Sequence, residues 1–275
     1  MRISSGGEAQ RSTPRGSGLG ILILCGLTML GGLSMAGCRA RPQPGEPSEV
    51  LVFAAASLGE SFQALAADFE AEHPEHRLVF NFAGSNALAT QLLEGARADV
   101  FASADGLQMQ RLEDAGLLAG PPRIFARNRM LLIVSDTGAD AIRAPEDLLK
   151  PGLRLVLAGP DVPAGRYARQ ALARAGLWPA AEINLVSEEA DVKGVVGKVA
   201  MDEADAGIVY ATDVTPAVAG SVHVLVWAEM SRELADYPAA VLAAAGEPEG
   251  AAAFLSFLAS EAAARALTAR GFDLP

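Results

Sequence analysis

Val50-Leu51-Val52-Phe53-Ala54-Ala55-Ala56-Ser57-Leu58-Gly59-Glu60 is the stretch on which the fold turns. Its first half is a short apolar run, read as a strand over 50–54. Its second half opens a helix over 58–72, because Phe62, Leu65, Ala66 and Phe69 recur at i, i+3, i+4 and i+7, and Pro74 stops it. Ser57 followed three positions later by Glu60 is a capping-box pattern, which predicts Ser57 as the helix cap. A helix that begins at the carboxyl end of a parallel strand also directs free amides and a partial positive charge into the crevice there. Such a terminus is a prepared anion site. On this motif alone the cap role accounts for Ser57.

Outward from this unit the alternation continues. Strands are expected at 77–82, 99–103, 130–134, 153–158, 184–186, 206–210, 222–227 and 239–243. Helices are expected at 86–95, 105–115, 165–175 and 192–201, with one long amphipathic helix over 249–269 that carries Phe254, Phe257 and Leu258 and stops at Gly271. Strands alternating with helices define an α/β chain with parallel pairing. Phe82-Ala83-Gly84-Ser85-Asn86-Ala87-Leu88 repeats the small-residue turn one unit later and sets the Ser85 hydroxyl beside a second helix start. Two such turns in consecutive units point to a shared site at the carboxyl ends of the strands.

The chain has 275 residues, and its first segment reads as targeting sequence. Arg2, Arg11 and Arg15 precede an uncharged stretch over 16–38 with a strongly apolar centre, ending in the small residues Ala36 and Gly37. Met35-Ala36-Gly37-Cys38 is similar to a bacterial lipobox, so residues 1–37 are a lipoprotein-type signal and Cys38 the expected lipidation point. An uncleaved membrane anchor is the other reading, since the uncharged run is long enough to span a bilayer. Both readings put the folded part outside the cytoplasm. Residues 38–48, with Pro42, Pro44 and Pro47, form a tether.

The two cysteines, Cys25 and Cys38, both precede the folded part, which excludes structural disulfides and thiolate metal sites there. Residues 1–38 hold Arg2, Arg11, Arg15 and Glu8, a net +2, so the remainder carries −13 against −11 for the whole chain. A surface this acidic argues against nucleic acid as a partner. It also prevents long-range attraction from recruiting an anion, leaving local dipoles and hydrogen bonds. No Gly-x-Ser-x-Gly or Ser-x-x-Lys pattern supports a hydrolase, and His73, His76 and His223 lack metal-site spacing. Gly194-Val195-Val196-Gly197-Lys198-Val199 lacks the spacing and the Ser/Thr of a phosphate loop. Arg166, Lys193 and Lys198 are expected to be solvated surface charges, and Asp99 and Asp105 to serve in caps or turns.

Six segments in order resemble the periplasmic molybdate-binding receptors of ABC importers, a branch of the type II solute-binding proteins. They are Phe53-Ala54-Ala55-Ala56-Ser57-Leu58, Phe82-Ala83-Gly84-Ser85, Ala98-Asp99-Val100-Phe101-Ala102-Ser103-Ala104-Asp105, Val162-Pro163-Ala164-Gly165-Arg166-Tyr167-Ala168, Ala190-Asp191-Val192-Lys193-Gly194 and Gly207-Ile208-Val209-Tyr210. The resemblance implies a periplasmic binding protein fold of type II: two α/β domains with a central cleft and two hinge crossovers, near 128–134 and 227–237. The first domain is expected over 49–127 plus 236–275 and the second over 128–235.

The resemblance also implies an oxyanion ligand, molybdate and tungstate, held by the hydroxyls of Ser57, Ser85 and Tyr210 and the backbone amides of Ala164 and Val192. Molybdenum would enter only as that oxyanion, with no cofactor and no catalysis. The implied partners are an ABC permease in the inner membrane and, through Cys38, the membrane itself, with the protein a monomer. A tetrahedral dianion presents acceptors only, so every contacting group has to donate, and charge-assisted bonds of this kind are the stronger ones. Family members often carry a run of serines where Gly84 and Asn86 flank Ser85 here. A receptor for sulfate or ferric iron is the alternative within the class, although Tyr167, Tyr210 and Tyr237 are not adjacent, as iron receptors of this fold usually require. A regulator's effector domain would share the fold but not the export signal.

Overall fold

The computed structural model describes residues 46–227, 230 and 234–275. The signal, Cys38 and most of the tether therefore lie outside the described residues, as does part of the second expected crossover. Among the described residues no helix is long and apolar enough to cross a membrane.

The strands are β1 (Ser48–Ala55), β2 (His76–Ala83), β3 (Val100–Ala102), β4 (Arg123–Val134), β5 (Leu155–Ala158), β6 (Leu185–Glu189), β7 (Ala206–Tyr210), β8 (His223–Leu225) and β9 (Leu234–Val241). The helices are α1 (Gly59–Glu72), α2 (Ser85–Leu93), α3 (Gly106–Asp114), α4 (Pro163–Arg174), α5 (Val192–Ala200), α6 (Pro248–Leu258) and α7 (Glu261–Thr268). The sheet runs β2-β1-β3-β9-β4-β7-β5-β6, with β8 also on β4. β1 pairs in parallel with β2 and β3, and β5 pairs in parallel with β6 and β7. The mixed α/β class expected from the sequence is therefore the observed one.

β4 joins the two parallel sets. Its first half, Arg123–Arg129, lies antiparallel to β9, and its second half, Met130–Val134, lies antiparallel to β7. Only 130–134 was legible as strand, because Arg123, Arg127 and Arg129 break the apolar run of the first half. Arg127 instead pairs with Asp236 of β9 at 2.8 Å. The expected strand 239–243 is likewise displaced to Leu234–Val241. Pro238 has no amide to give a ladder, and the register shift between Ile124 and Ala126 on β4 falls opposite it. Its carbonyl is still used, accepting the Ser103 amide at 2.9 Å.

Both faces of β1 are buried, with the alternation a strand imposes. Val50, Val52 and Ala54 join the main core, while Phe53 faces a smaller one with Leu88, Phe101, Met109 and Leu112. In the main core the Phe254 ring meets Phe62 and Phe69 edge-on, with centroids 5.5 Å apart in each pair. The long helix expected over 249–269 is two helices. Ser260 takes an extended backbone and accepts the Ala263 amide at 3.2 Å, so it caps a new helix instead of continuing the old one.

Candidate functional site

The parallel strands all end toward one cavity. Its walls are Ala55, Ala56 and Ser57 after β1, Gly84 and Ser85 after β2, Ala104 after β3, Val162, Pro163 and Ala164 after β5, Asp191 and Val192 after β6, and Tyr210 closing β7. All five residues named from the sequence as oxyanion contacts, Ser57, Ser85, Ala164, Val192 and Tyr210, thus line one space. The cavity is small, with about 210 Å³ of space between its walls including what is open to solvent. It suits a ligand of a few heavy atoms.

The local chain explains why the walls donate. The helix α4 opens on Pro163, which has no amide hydrogen, so Ala164 supplies its first donor. In α5 the Asp191 carboxylate takes the amides of Lys193 and Gly194, which leaves the Val192 amide outside the cap. The helix α2 begins at Ser85 after Gly84, with no side chain capping it. Three helix starts therefore turn unspent amides and their partial positive charge to the same cavity.

The hydroxyls are disposed in the same sense. Ser85 Oγ accepts the Ala104 amide at 3.0 Å, so its own proton is free for another acceptor. Ser57 does not cap α1, which has no side-chain cap bond. A short 3₁₀ turn, Ala56–Leu58, precedes the helix and carries Ser57 inward, where Oγ meets Tyr237 Oη at 2.9 Å. Tyr210 is 1% exposed, and among the described residues its hydroxyl has no hydrogen-bond partner. A buried polar group left in this state costs about 1–3 kcal/mol, so it marks a place where something else completes the bond. Burial, followed by the neighbouring Tyr237 and Tyr167, holds the Tyr210 phenol well above its ordinary range, so it stays a donor in alkaline solution.

The basic residues near the cavity correct the expectation of solvated charges. Arg166 pairs with Asp105 at 2.8 Å, Lys193 with Asp213 at 3.0 Å and Lys198 with Glu189 at 2.6 Å. Asp105 and Asp213 are fully buried, so their partners are consumed in neutralising them. Burial raises the Asp213 carboxyl above its ordinary range, and Lys193 opposes that shift. Asp105 also caps α3 by accepting the Gln108 amide at 2.9 Å, a cap role as expected. Asp99 accepts the amides of Leu51, Gly246 and Glu247 and ties β1 to the approach of α6. Among the described residues no group of three His, Cys, Asp or Glu is arranged to hold a metal ion.

Sequence reasoning missed Tyr237, Asn128 and the amide of Ala104. Nothing local marks them, since Tyr237 meets Ser57 across 180 positions of chain.

A cavity of uncharged donors at the carboxyl ends of two parallel strand sets is the design of a receptor that captures a small solute. Residues 50–273 match the family described as bacterial extracellular solute-binding protein, and the chain belongs to it. Within that family it is similar to the molybdate-binding protein ModA of Mycobacterium tuberculosis (strain ATCC 25618 / H37Rv), 39% identical over 254 residues that cover 92% of this chain and 95% of the relative. It is also similar to ModA of Haemophilus influenzae, 34% identical with 82% and 90% covered. The Azotobacter vinelandii periplasmic molybdate-binding protein superposes with a TM-score of 0.71 at 22% identity, over 82% of this chain and 99% of that one. The sulfate-binding protein SubI from Mycobacterium tuberculosis H37Rv gives 0.72 at 16% identity, over 82% and 87%. The fold is that of the periplasmic binding proteins, and the family is one of solute carriage, not an enzyme class.

Proposed function

We propose that this protein captures molybdate, and tungstate with it, outside the cytoplasm and hands it to an ABC permease without altering it chemically. The observation that carries this reading is the buried Tyr210 hydroxyl, without a hydrogen-bond partner among the described residues, on a cavity it shares with Ser57, Ser85 and the first donors of α4 and α5. A fully ionised tetrahedral anion would accept from all of them. The cationic side chains around the cavity are already paired with buried carboxylates, so discrimination rests on dipoles and hydroxyls. The names of the relatives supply the choice of molybdate among tetrahedral anions. Molybdate and tungstate are nearly equal in size, whereas the smaller sulfate would leave donors unmatched.

In this reading 49–127 plus 236–275 form one domain and 128–235 the other, with β4 crossing between them where its partner changes from β9 to β7. Ser57 and Ser85 belong to the first, and Ala164, Val192 and Tyr210 to the second, so an anion bound to both shifts the population toward closure. The closed form is what the permease recognises. Cys38 carries the lipid and begins a tether that ends where β1 starts at Ser48, the protein acts as a monomer, and it needs no cofactor.

Calorimetric titration with molybdate, tungstate and sulfate tests the reading. Saturable binding of the first two, with sulfate much weaker, is the expected result, accompanied by a rise in melting temperature through mass action. Absence of binding and of any thermal shift at millimolar molybdate would overturn it.

A further inference from the structure

Ser85 is made a donor by a backbone amide that occupies its oxygen, and Ser57 needs an equivalent device, because a hydroxyl can as readily turn its lone pairs to the cavity. Asn128, which is fully buried, supplies the starting point. Its Oδ1 accepts the Arg129 amide at 2.9 Å. That backbone N–H can only donate, so it fixes which end of the side-chain amide is oxygen. Asn128 Nδ2 then faces Thr212 Oγ1 at 2.8 Å and Tyr237 Oη at 3.3 Å. An amide nitrogen donates and cannot accept, so Tyr237 Oη is an acceptor toward Asn128. Tyr237 has a single proton, and Ser57 Oγ at 2.9 Å is the acceptor within its reach among the described residues. With its oxygen occupied in this way, Ser57 has its own proton left for the cavity it lines.

We propose that Tyr237, held by Asn128, is a positioning residue that directs the Ser57 hydroxyl and so leaves its proton free for donation to a fully ionised oxyanion. The inference rests on the oxyanion reading of the cavity and adds to it two residues that do not touch the ligand. It assigns the fully buried Tyr237 hydroxyl a function beyond packing. It also explains why Ser57 points to Tyr237 instead of capping α1.

A double-mutant cycle on the full chain, read by calorimetric titration with molybdate, separates this role from a structural one. Tyr237→Phe keeps the ring and removes the proton donor, and should weaken molybdate binding about tenfold. In a Ser57→Ala background the same substitution should change the affinity by less than about twofold, because there is no hydroxyl left to direct. Asn128→Asp supplies an acceptor where Asn128 donated, reversing the chain so that the Ser57 proton is spent on Tyr237. It should weaken binding more than Tyr237→Phe does, and most of that loss should vanish without Ser57. Equal losses in both backgrounds, or no loss in the single Tyr237→Phe variant, would overturn the positioning role while leaving the oxyanion reading intact. A wild-type protein that binds none of molybdate, tungstate and sulfate would overturn both.

Discussion

Gly84, in the turn between β2 and α2, lies against the carbonyl of Ala190, in the turn between β6 and α5, so closely that a Cβ on Gly84 would stand 2.6 Å from that oxygen. The two turns belong to different parallel strand sets and meet at the cavity rim. Gly84 itself has φ −57° and ψ 134°, a conformation open to any residue. The glycine is therefore required by what crowds it, the Ala190 carbonyl of the opposite turn and, at 2.7 Å from such a Cβ, Asn86 Oδ1 of its own turn, and not by its own backbone.

Gly84→Ala should hold the two turns apart and weaken molybdate binding by about tenfold, while moving the melting temperature of the unliganded protein by no more than about 2 °C. Titration and a thermal melt on the same variant check both halves. An unaltered affinity would mean that the contact does not govern closure.

Tyr210→Phe should act with opposite signs on binding and stability. Loss of a charge-assisted bond of about 1.5–3 kcal/mol raises Kd by roughly ten- to a hundredfold. The unliganded protein should be as stable as the wild type or more so, because the variant no longer buries a hydroxyl that has no partner among the described residues. Urea unfolding with and without molybdate gives both quantities, and a destabilised unliganded variant would contradict the assignment.

Arg166 reaches from α4 to the buried Asp105 that caps α3. Arg166→Met strands that carboxylate and should cost about 3 kcal/mol, the lower end for a broken buried pair because the Gln108 amide remains bonded to it. Adding Asp105→Asn should recover most of the loss. Chemical denaturation of the single and double variants tests this, and a double variant no better than Arg166→Met would show that charge is not the cause.

Asp147 predicts part of the acid limb of stability. Hydrogen bonds from Lys150 and from the Arg143 amide lower its pKa from 3.8 to about 2. The unfolded chain therefore takes up this proton first as the pH falls. The stabilisation is complete above about pH 4 and is lost as the pH falls toward 2. Asp147→Asn should flatten the melting temperature against pH in that window and leave the slope above pH 5 as it was. An unchanged acid limb would remove Asp147 from the account.

The sequence by itself determined the alternation of strand and helix, the two small-residue turns at Ser57 and Ser85, and the order of motifs that ends at Tyr210. Those features are local: apolar period, turn composition and helix starts are written within a few residues of one another. It misread β4 and β9 where arginines and a proline interrupt the pattern. It ran α6 and α7 together because periodicity does not register a serine that bonds its own backbone. Tertiary structure alone decided that Ser57 bonds Tyr237 instead of capping its helix, that Arg166 and Lys193 are spent on buried carboxylates, and that Gly84 has to be glycine. Each of these depends on groups far apart in sequence meeting in a space that excludes water. There, an unpaired charge or hydroxyl is costly enough to dictate its partner.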